Sequence, residues 1–177
     1  MMTLVTGGSG SGKSEFAENR TLAYSRENLI YVATMVAFDD EAHRKIARHR
    51  KMRQEKNFTT RECYVALKSL DLNKENTVLL DCMSNLVANE MYQENGAHED
   101  TVNQVVEGVK SIKDQVSNFV IVTNEVFSDG IDYDEETKCY INYLGEINKE
   151  LAKMADEVIE VVYTIPIYHK GRREERC

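Results

Sequence analysis

The sequence predicts an α/β protein built on a mostly parallel sheet with helices on both faces. Three observations carry that expectation. Short apolar runs rich in Val, Ile and Leu alternate with longer charged stretches of helical periodicity along the chain. The first run leads into Gly7-Gly8-Ser9-Gly10-Ser11-Gly12-Lys13-Ser14, a G-x-x-x-x-G-K-S phosphate loop (P-loop), and a helical pattern opens behind it at Glu15. Asp81 and Asn124-Glu125 close two later runs, and in parallel sheets ligands gather beyond the carboxyl ends of the strands.

Taken in order, residues 1–6 form the first strand and residues 15–25 the helix after the loop. Leu29-Ile30-Tyr31-Val32-Ala33-Thr34 is a β-rich run with the composition of a buried strand. Asp39-Asp40 can cap a long charged helix running to about Lys56. Thr59 to Cys63 reads as a short strand and Val65 to Leu72 as a short helix. Thr77 to Cys82 is a strand with Asp81 near its end, followed by helices over 84–93 and 99–116 around a loop at 94–98. Phe119 to Glu125 is the next strand. A polar, acidic loop over 128–136 leads into a helix from Thr137 to Met154, and Val158 to Tyr163 is the last clear strand. Pro166 restricts any further strand to a short piece or a sheet edge, and the charged tail from Lys170 is expected to fray.

The loop motif has a direct chemical reading. Its glycines permit positive φ and close approach of N–H groups to phosphate oxygens, and the following helix offers unpaired N–H groups to an anion. Gly7, Gly8, Ser9, Gly10, Ser11 and Gly12 therefore form the cradle. Lys13 is expected on the β- and γ-phosphates and the Ser14 hydroxyl on Mg²⁺. Asp81, closing Val78-Leu79-Leu80, has the pattern of a second Mg²⁺ ligand, direct or through water; a cap for the helix at Ser84 is the plainer reading. Glu125 reads equally as a group that polarises a nucleophile or binds Mg²⁺ through water and as a solvated loop carboxylate, and Asn124 has a similar standing.

The charged helix carries Arg44, Lys45, Arg48, His49, Arg50, Lys51 and Arg53. Such a run is either a solvated face or a phosphate-handling helix with a reactive histidine. His43 and His49 are six apart and do not share a helix face, so they are no metal pair. A histidine among arginines suits a nucleophile toward phosphorus, because neighbouring positive charge disfavours imidazolium and keeps the lone pair available.

Bulk properties set outer limits. At 177 residues one domain spanning 1–177 is the default. No run approaches the ~18 apolar residues of a membrane span, and the N-terminus lacks the pattern of a secretory signal. Cysteines 63, 82, 139 and 177 show neither C-x-x-C nor a zinc spacing, so free thiols in a reducing cytoplasm are expected. A formal net charge of −8 argues against a general attraction to nucleic acid.

Taken together, the ordered pieces resemble one family, the bifunctional adenosylcobinamide kinase / adenosylcobinamide-phosphate guanylyltransferases of cobalamin biosynthesis. The pieces are Leu4-Val5-Thr6-Gly7-Gly8 running into Ser11-Gly12-Lys13-Ser14, then Tyr31-Val32-Ala33-Thr34, Phe38-Asp39-Asp40-Glu41 and Arg48-His49-Arg50. Leu79-Leu80-Asp81-Cys82, Val122-Thr123-Asn124-Glu125-Val126, Asn148 and Ala155-Asp156-Glu157-Val158 follow. The resemblance implies a RecA-like P-loop NTPase sheet and a homotrimer with active sites between subunits. It implies ATP or GTP as phosphoryl donor to the hydroxyl of adenosylcobinamide, then transfer of GMP from GTP to that phosphate through a covalent histidine, matched here by His49. Lys13 joins His49 as catalytic, Glu62 and Asp81 join the nucleotide-binding set, and Ser14 with Asp81 would hold Mg²⁺. Ser9-Gly10, Gln54, Phe58 and the loop from Phe127 to Asp132 depart from the family pattern, all on substrate-facing segments. Two other readings use the same loop: a P-loop kinase for another small alcohol, with no covalent role for His49, and a nucleotide-binding regulator whose acidic loop at 129–136 meets a partner.

Overall fold

The computed structural model describes the backbone of residues 1–37, 40–54, 56–126, 130 and 132–171, and the side chains of those residues except at 42, 45, 48–50, 52 and 53. Among the described residues seven strands form one sheet in the order β3-β2-β4-β5-β1-β6-β7. They are β1 (Met2–Thr6), β2 (Leu29–Ala33), β3 (Thr59–Glu62), β4 (Thr77–Asp81), β5 (Asn118–Val122), β6 (Glu157–Val162) and β7 (Ile165–Lys170). All described pairings are parallel except β6 with β7, which is antiparallel. Among the described residues five α-helices accompany them: α1 (Lys13–Tyr24), α2 (Asp40–Arg53), α3 (Met83–Tyr92), α4 (Thr101–Gln115) and α5 (Glu135–Met154).

The alternation of side chains along the central strands divides the core in two. Leu4, Ile30, Val32, Leu80, Phe119 and Ile121 point to one face, where they meet Leu86 of α3, Val109 of α4 and Ile147 of α5. Their neighbours Val5, Tyr31, Leu79, Val120 and Val122 point to the other, against Ala17 of α1, with Phe16, Tyr24 and Phe58 packed alongside. None of the described side chains of α2 belongs to either cluster. Its described positions are exposed apart from the half-buried Ile46, as a helix carrying so few apolar residues must be.

Two anchors hold α1, one from the sheet and one from the turn before β3. Glu157, at the start of β6, accepts from both the Nε and Nη2 of Arg20 at 3.2 and 2.7 Å, and its other oxygen accepts from Nη2 at 2.6 Å. Thr3 and Tyr24 donate to the same carboxylate at 3.0 and 2.9 Å. Burial acts to raise the Glu157 pKa, but the hydrogen bonds from Arg20, Tyr24 and Thr3 outweigh it, and the carboxyl titrates below its ordinary value. The second anchor is Lys56, which reaches the fully buried Glu18 at 2.6 Å.

The sequence reading differs from the structure in one element. The stretch 65–72, expected to be a short helix, holds only a single 3₁₀ turn at Leu67–Ser69. Its preceding residue, Ala66, has φ 54°, and its N–H donates to Glu90 Oε1 rather than entering a helical ladder. The tight packing of Leu67 onto Gly108 of α4 holds the segment as a plug over that helix. Pro166 stands in β7 at the sheet edge, where the missing N–H disturbs nothing. The proposed cap Asp39, the departing loop residues Phe127, Ser128, Asp129 and Ile131, and the tail 172–177 lie outside the described residues.

Candidate active site

The site begins at β1. This strand lies near the middle of the sheet with β5 and β6 on either side, so the loop that leaves its carboxyl end opens over the sheet. Gly7 has φ 153°, and a Cβ there would stand 2.5 Å from the Val161 carbonyl of β6, so only glycine lets the loop pass. Gly12 has φ 89° and hands over to α1, whose first hydrogen bond runs from Phe16 N to Gly12 O at 3.0 Å. The Ser11 hydroxyl is buried in the loop with no hydrogen-bond partner among the described residues. The Ser11 N–H donates to Gly8 O at 3.3 Å, which closes the turn of the loop, and Ser9, Gly10, Lys13 and Ser14 are its residues that face the cavity.

Lys13 folds back over the loop and donates to Gly8 O at 3.0 Å. Burial pulls its ammonium below the ordinary lysine value, while Cys82 and Asp81 nearby act in the opposite direction. A bound triphosphate would add countercharge beside this buried cation.

Beside the loop, the ends of β2 and β4 build a rigid shelf. Tyr31 Oη donates to Asp81 Oδ2 at 2.9 Å. The Thr34 hydroxyl donates to Cys82 O at 2.8 Å and accepts from Cys82 N at 2.9 Å, and Asn89 Nδ2 donates to Thr34 O at 2.8 Å. Asn124, past the end of β5, donates through Nδ2 to Ser84 Oγ at 2.7 Å. Glu125 contributes a backbone N–H to Gly7 O at 3.1 Å, which ties the β5 end to the phosphate loop. The Asp81–Cys82 peptide is cis.

These elements enclose a cavity of about 630 Å³. Its floor includes Ser9, Gly10, Lys13 and Ser14 of the loop. Asp81, Asn85 and Asn124 face it from the β4 and β5 side, and Tyr31, Thr60, Glu62 and Tyr64 from the β2 and β3 side. His43 and Ile46 of α2 form part of its wall. Ser14 and Asp81 thus share one cavity and offer a hydroxyl and a carboxylate oxygen, hard donors of the kind Mg²⁺ takes together with waters and phosphate oxygens. Among the described residues no group of three or more His, Cys, Asp or Glu is placed to hold a metal ion.

The structure therefore brings Lys13, Ser14, Glu62, Asp81 and Asn124 to one cavity although they span 111 positions of sequence between first and last. Position 49 lies in α2, three residues past Ile46, and the His49 side chain is outside the described ones. Three contributors escaped the sequence reading. His43 was passed over in favour of His49, yet it lines the cavity. Tyr31 reads as a buried strand residue until Asp81 is seen beside it. Thr34 closes a strand as threonines often do, and only the β2–β4 register reveals its hold on Cys82.

A protein-family model described as cobinamide kinase / cobinamide phosphate guanyltransferase matches residues 3–168. The chain is 32% identical over 181 residues to the bifunctional adenosylcobalamin biosynthesis protein CobU of Escherichia coli, with 94% of this chain and 98% of that protein covered. The protein of the same name in Salmonella typhimurium is 30% identical over the same length and coverage. The bifunctional adenosylcobalamin biosynthesis protein CobP of Pseudomonas aeruginosa is 27% identical over 173 residues, covering 97% of this chain and 98% of that one. Among solved structures, an ATPase domain superposes with a TM-score of 0.52 at 11% identity, over 97% of this chain and 77% of that one, which speaks for the fold alone. No described helix is long and apolar enough to cross a membrane.

Proposed function

The chain belongs to the cobinamide kinase / cobinamide phosphate guanyltransferase family, and on that premise we propose how its residues divide the two reactions. It acts in adenosylcobalamin biosynthesis as a kinase and a guanylyltransferase. The observation that carries the assignment of residues is the meeting of Lys13, Ser14 and Asp81 with the wall of α2 around one cavity.

In the kinase reaction the phosphate loop holds a nucleoside triphosphate with Lys13 against the β- and γ-phosphates. The hydroxyl oxygen of adenosylcobinamide attacks the γ-phosphorus, the bond from γ-phosphorus to the bridging oxygen breaks, the nucleoside diphosphate leaves, and the hydroxyl proton passes to solvent. Ser14 and Asp81 would hold Mg²⁺, which when bound offsets negative charge on the phosphates. Glu62 sits on the same wall and is assigned to nucleotide binding. Tyr31 holds Asp81 in orientation.

In the transferase reaction an imidazole nitrogen of His49 attacks the α-phosphorus of GTP. A P–N bond forms, the α–β bridging P–O bond breaks and pyrophosphate departs. A phosphate oxygen of the cobinamide phosphate then attacks the same phosphorus, and the P–N bond gives its electron pair back to the ring. The intermediate divides one displacement into two. What supports His49 is its place in the helix that lends His43 and Ile46 to the cavity wall, and the match of Arg48-His49-Arg50 to the family pattern. The described side chains of α2, none of which joins either core cluster, suit a helix completed by another subunit of a homotrimer.

Incubation with cobinamide, ATP, GTP and Mg²⁺, with products read by mass, tests the pair of reactions. Formation of cobinamide phosphate followed by the GDP-linked product supports them. Cobinamide recovered unchanged, with the nucleotides intact, would refute the proposal.

A further inference from the structure

A buried charge on α1 has no part in the chemistry described so far. Glu18, five residues after Lys13, is 1% exposed. Its Oε2 accepts from Lys56 Nζ at 2.6 Å, and its Oε1 has no hydrogen-bond partner among the described residues. Lys56 stands in the chain between the end of α2 at Arg53 and the start of β3 at Thr59. Two positions further, the Phe58 ring meets Tyr31 edge-on at 6.3 Å between centroids and packs against the core cluster that includes Ala17 of α1. The exit of α2 is therefore fastened both to α1 and to the sheet.

As a stabilising device this pair is a poor choice. Taking two charges out of water is expensive, and their attraction offsets the cost only when the remaining lone pairs are also bonded. Here one carboxylate oxygen is left over. A well-packed apolar pair of similar volume would hold α1 as firmly or better. What an ion pair adds is registry: one ammonium and one carboxylate meet in a single place, whereas apolar side chains tolerate several.

Registry matters because of what the two helices carry. α1 begins at Lys13, directly behind the phosphate loop, and α2 carries position 49. Core packing does not place α2, since none of its described side chains belongs to either core cluster. Position 49 lies seven residues before Lys56, so a shift of the α2 exit along α1 moves the helix relative to the loop. Reaction rates are steep in such shifts: a reacting group misplaced by about 1 Å can lose about 10²-fold. We propose that the Glu18–Lys56 pair is a positioning contact that registers α2 on α1, and that the transferase reaction depends on it while the kinase reaction does not. The kinase groups are placed without it, since Lys13 donates to Gly8 O within the loop and Tyr31 donates to Asp81. This inference rests on the His49 reading above and adds to it the contact that sets the helix.

Lys56→Met alone would leave a buried carboxylate unpaired and could fail to fold, so the informative variant joins Glu18→Leu with Lys56→Met. With no charge left in the site, it is expected to melt no more than about 5 °C below wild type. Two activities of the full chain are then compared, both with Mg²⁺. Single-turnover formation of acid-labile label from saturating GTP labelled at the α-phosphate is expected to slow by about tenfold or more. Phosphorylation of cobinamide from saturating ATP is expected to stay within about threefold, because Lys13, Ser14 and Asp81 are untouched. Lys56→Arg keeps a cation opposite Glu18 and is expected to label within about threefold of wild type. Labelling of the double variant at the wild-type rate would overturn the proposal, as would an arginine variant as slow as the apolar pair. A parallel loss of labelling and phosphorylation, or a melting temperature lowered beyond about 5 °C, would overturn it too, by assigning the pair to the stability of α1. Wild type that takes up no label during turnover would instead refute the covalent route on which the proposal stands.

Discussion

The Tyr31 hydroxyl helps to orient the carboxylate of Asp81. Tyr31 donates to it at 2.9 Å from a residue 50 positions earlier in the chain. Tyr31→Phe keeps the ring and its edge contact with Phe58, and removes the hydroxyl that donates to Asp81. Kinase assays across a Mg²⁺ titration should then show a half-saturating concentration raised several-fold, with the melting temperature nearly unchanged; an unaltered Mg²⁺ curve would mean that Asp81 is held by other means. Lys13→Met should lower phosphorylation of cobinamide by about 10²-fold or more, since it takes the charge from beside the transferred phosphate. Steady-state rates at saturating cobinamide check that outcome, and a loss below tenfold would contradict the role given to Lys13. At this scale the sequence was legible where chemistry is contiguous. Lys13 and Ser14 declare themselves because the loop is one unbroken motif. Tyr31, Thr34 and His43 did not, because each acquires its meaning from a partner that only the strand register or the turn of a helix brings near.

Elements report a different balance. Glycine inside a helix ordinarily weakens it, and replacement by alanine gains about 0.5–1 kcal/mol. Gly108 of α4 is an exception in this fold, because a Cβ there would stand 2.7 Å from Leu67 Cβ. Gly108→Ala should destabilise the chain by about 1–3 kcal/mol in urea unfolding, the range typical of overpacking. A stabilised variant would show that the 3₁₀ segment can retreat. The same contact explains why a helix over 65–72 was expected and not found: local periodicity favours it, while tertiary packing onto α4 and the Glu90 carboxylate takes the backbone elsewhere. The Glu157 anchor gives a pH dependence with a definite sign. Its folded pKa is below the ordinary 4.5, so its stabilising contribution is complete above that value and is lost as pH falls through the lower folded value. Glu157→Gln should cost about 3 kcal/mol at neutral pH, because it leaves Arg20 against a neutral amide in a buried setting. It should also flatten the fall in melting temperature as pH drops from 4.5 through the lower folded value. A wild-type melting temperature that holds constant over that interval would contradict the anchor.

For the molecule as a whole, the alternation of strands and helices was legible in sequence because buried parallel strands are nearly pure apolar runs and the helices between them are not. The strand order was not legible, since nothing local states that β1 lies between β5 and β6. That order is what carries Asp81 and Asn124 to the phosphate loop. Association is a property of the same scale. The homotrimer implied by the family resemblance predicts a mass near three times 20.3 kDa in light scattering coupled to size exclusion; a monomer that still completes both reactions would show that each site is built within one chain. The most direct test concerns the histidine of α2. The protein is incubated with Mg²⁺ and GTP labelled at the α-phosphate, denatured, and counted before and after mild acid. Wild type should retain acid-labile label and His49→Ala should retain none while still phosphorylating cobinamide. Label that persists on His49→Ala, or that never forms on wild type during turnover, would contradict the covalent route.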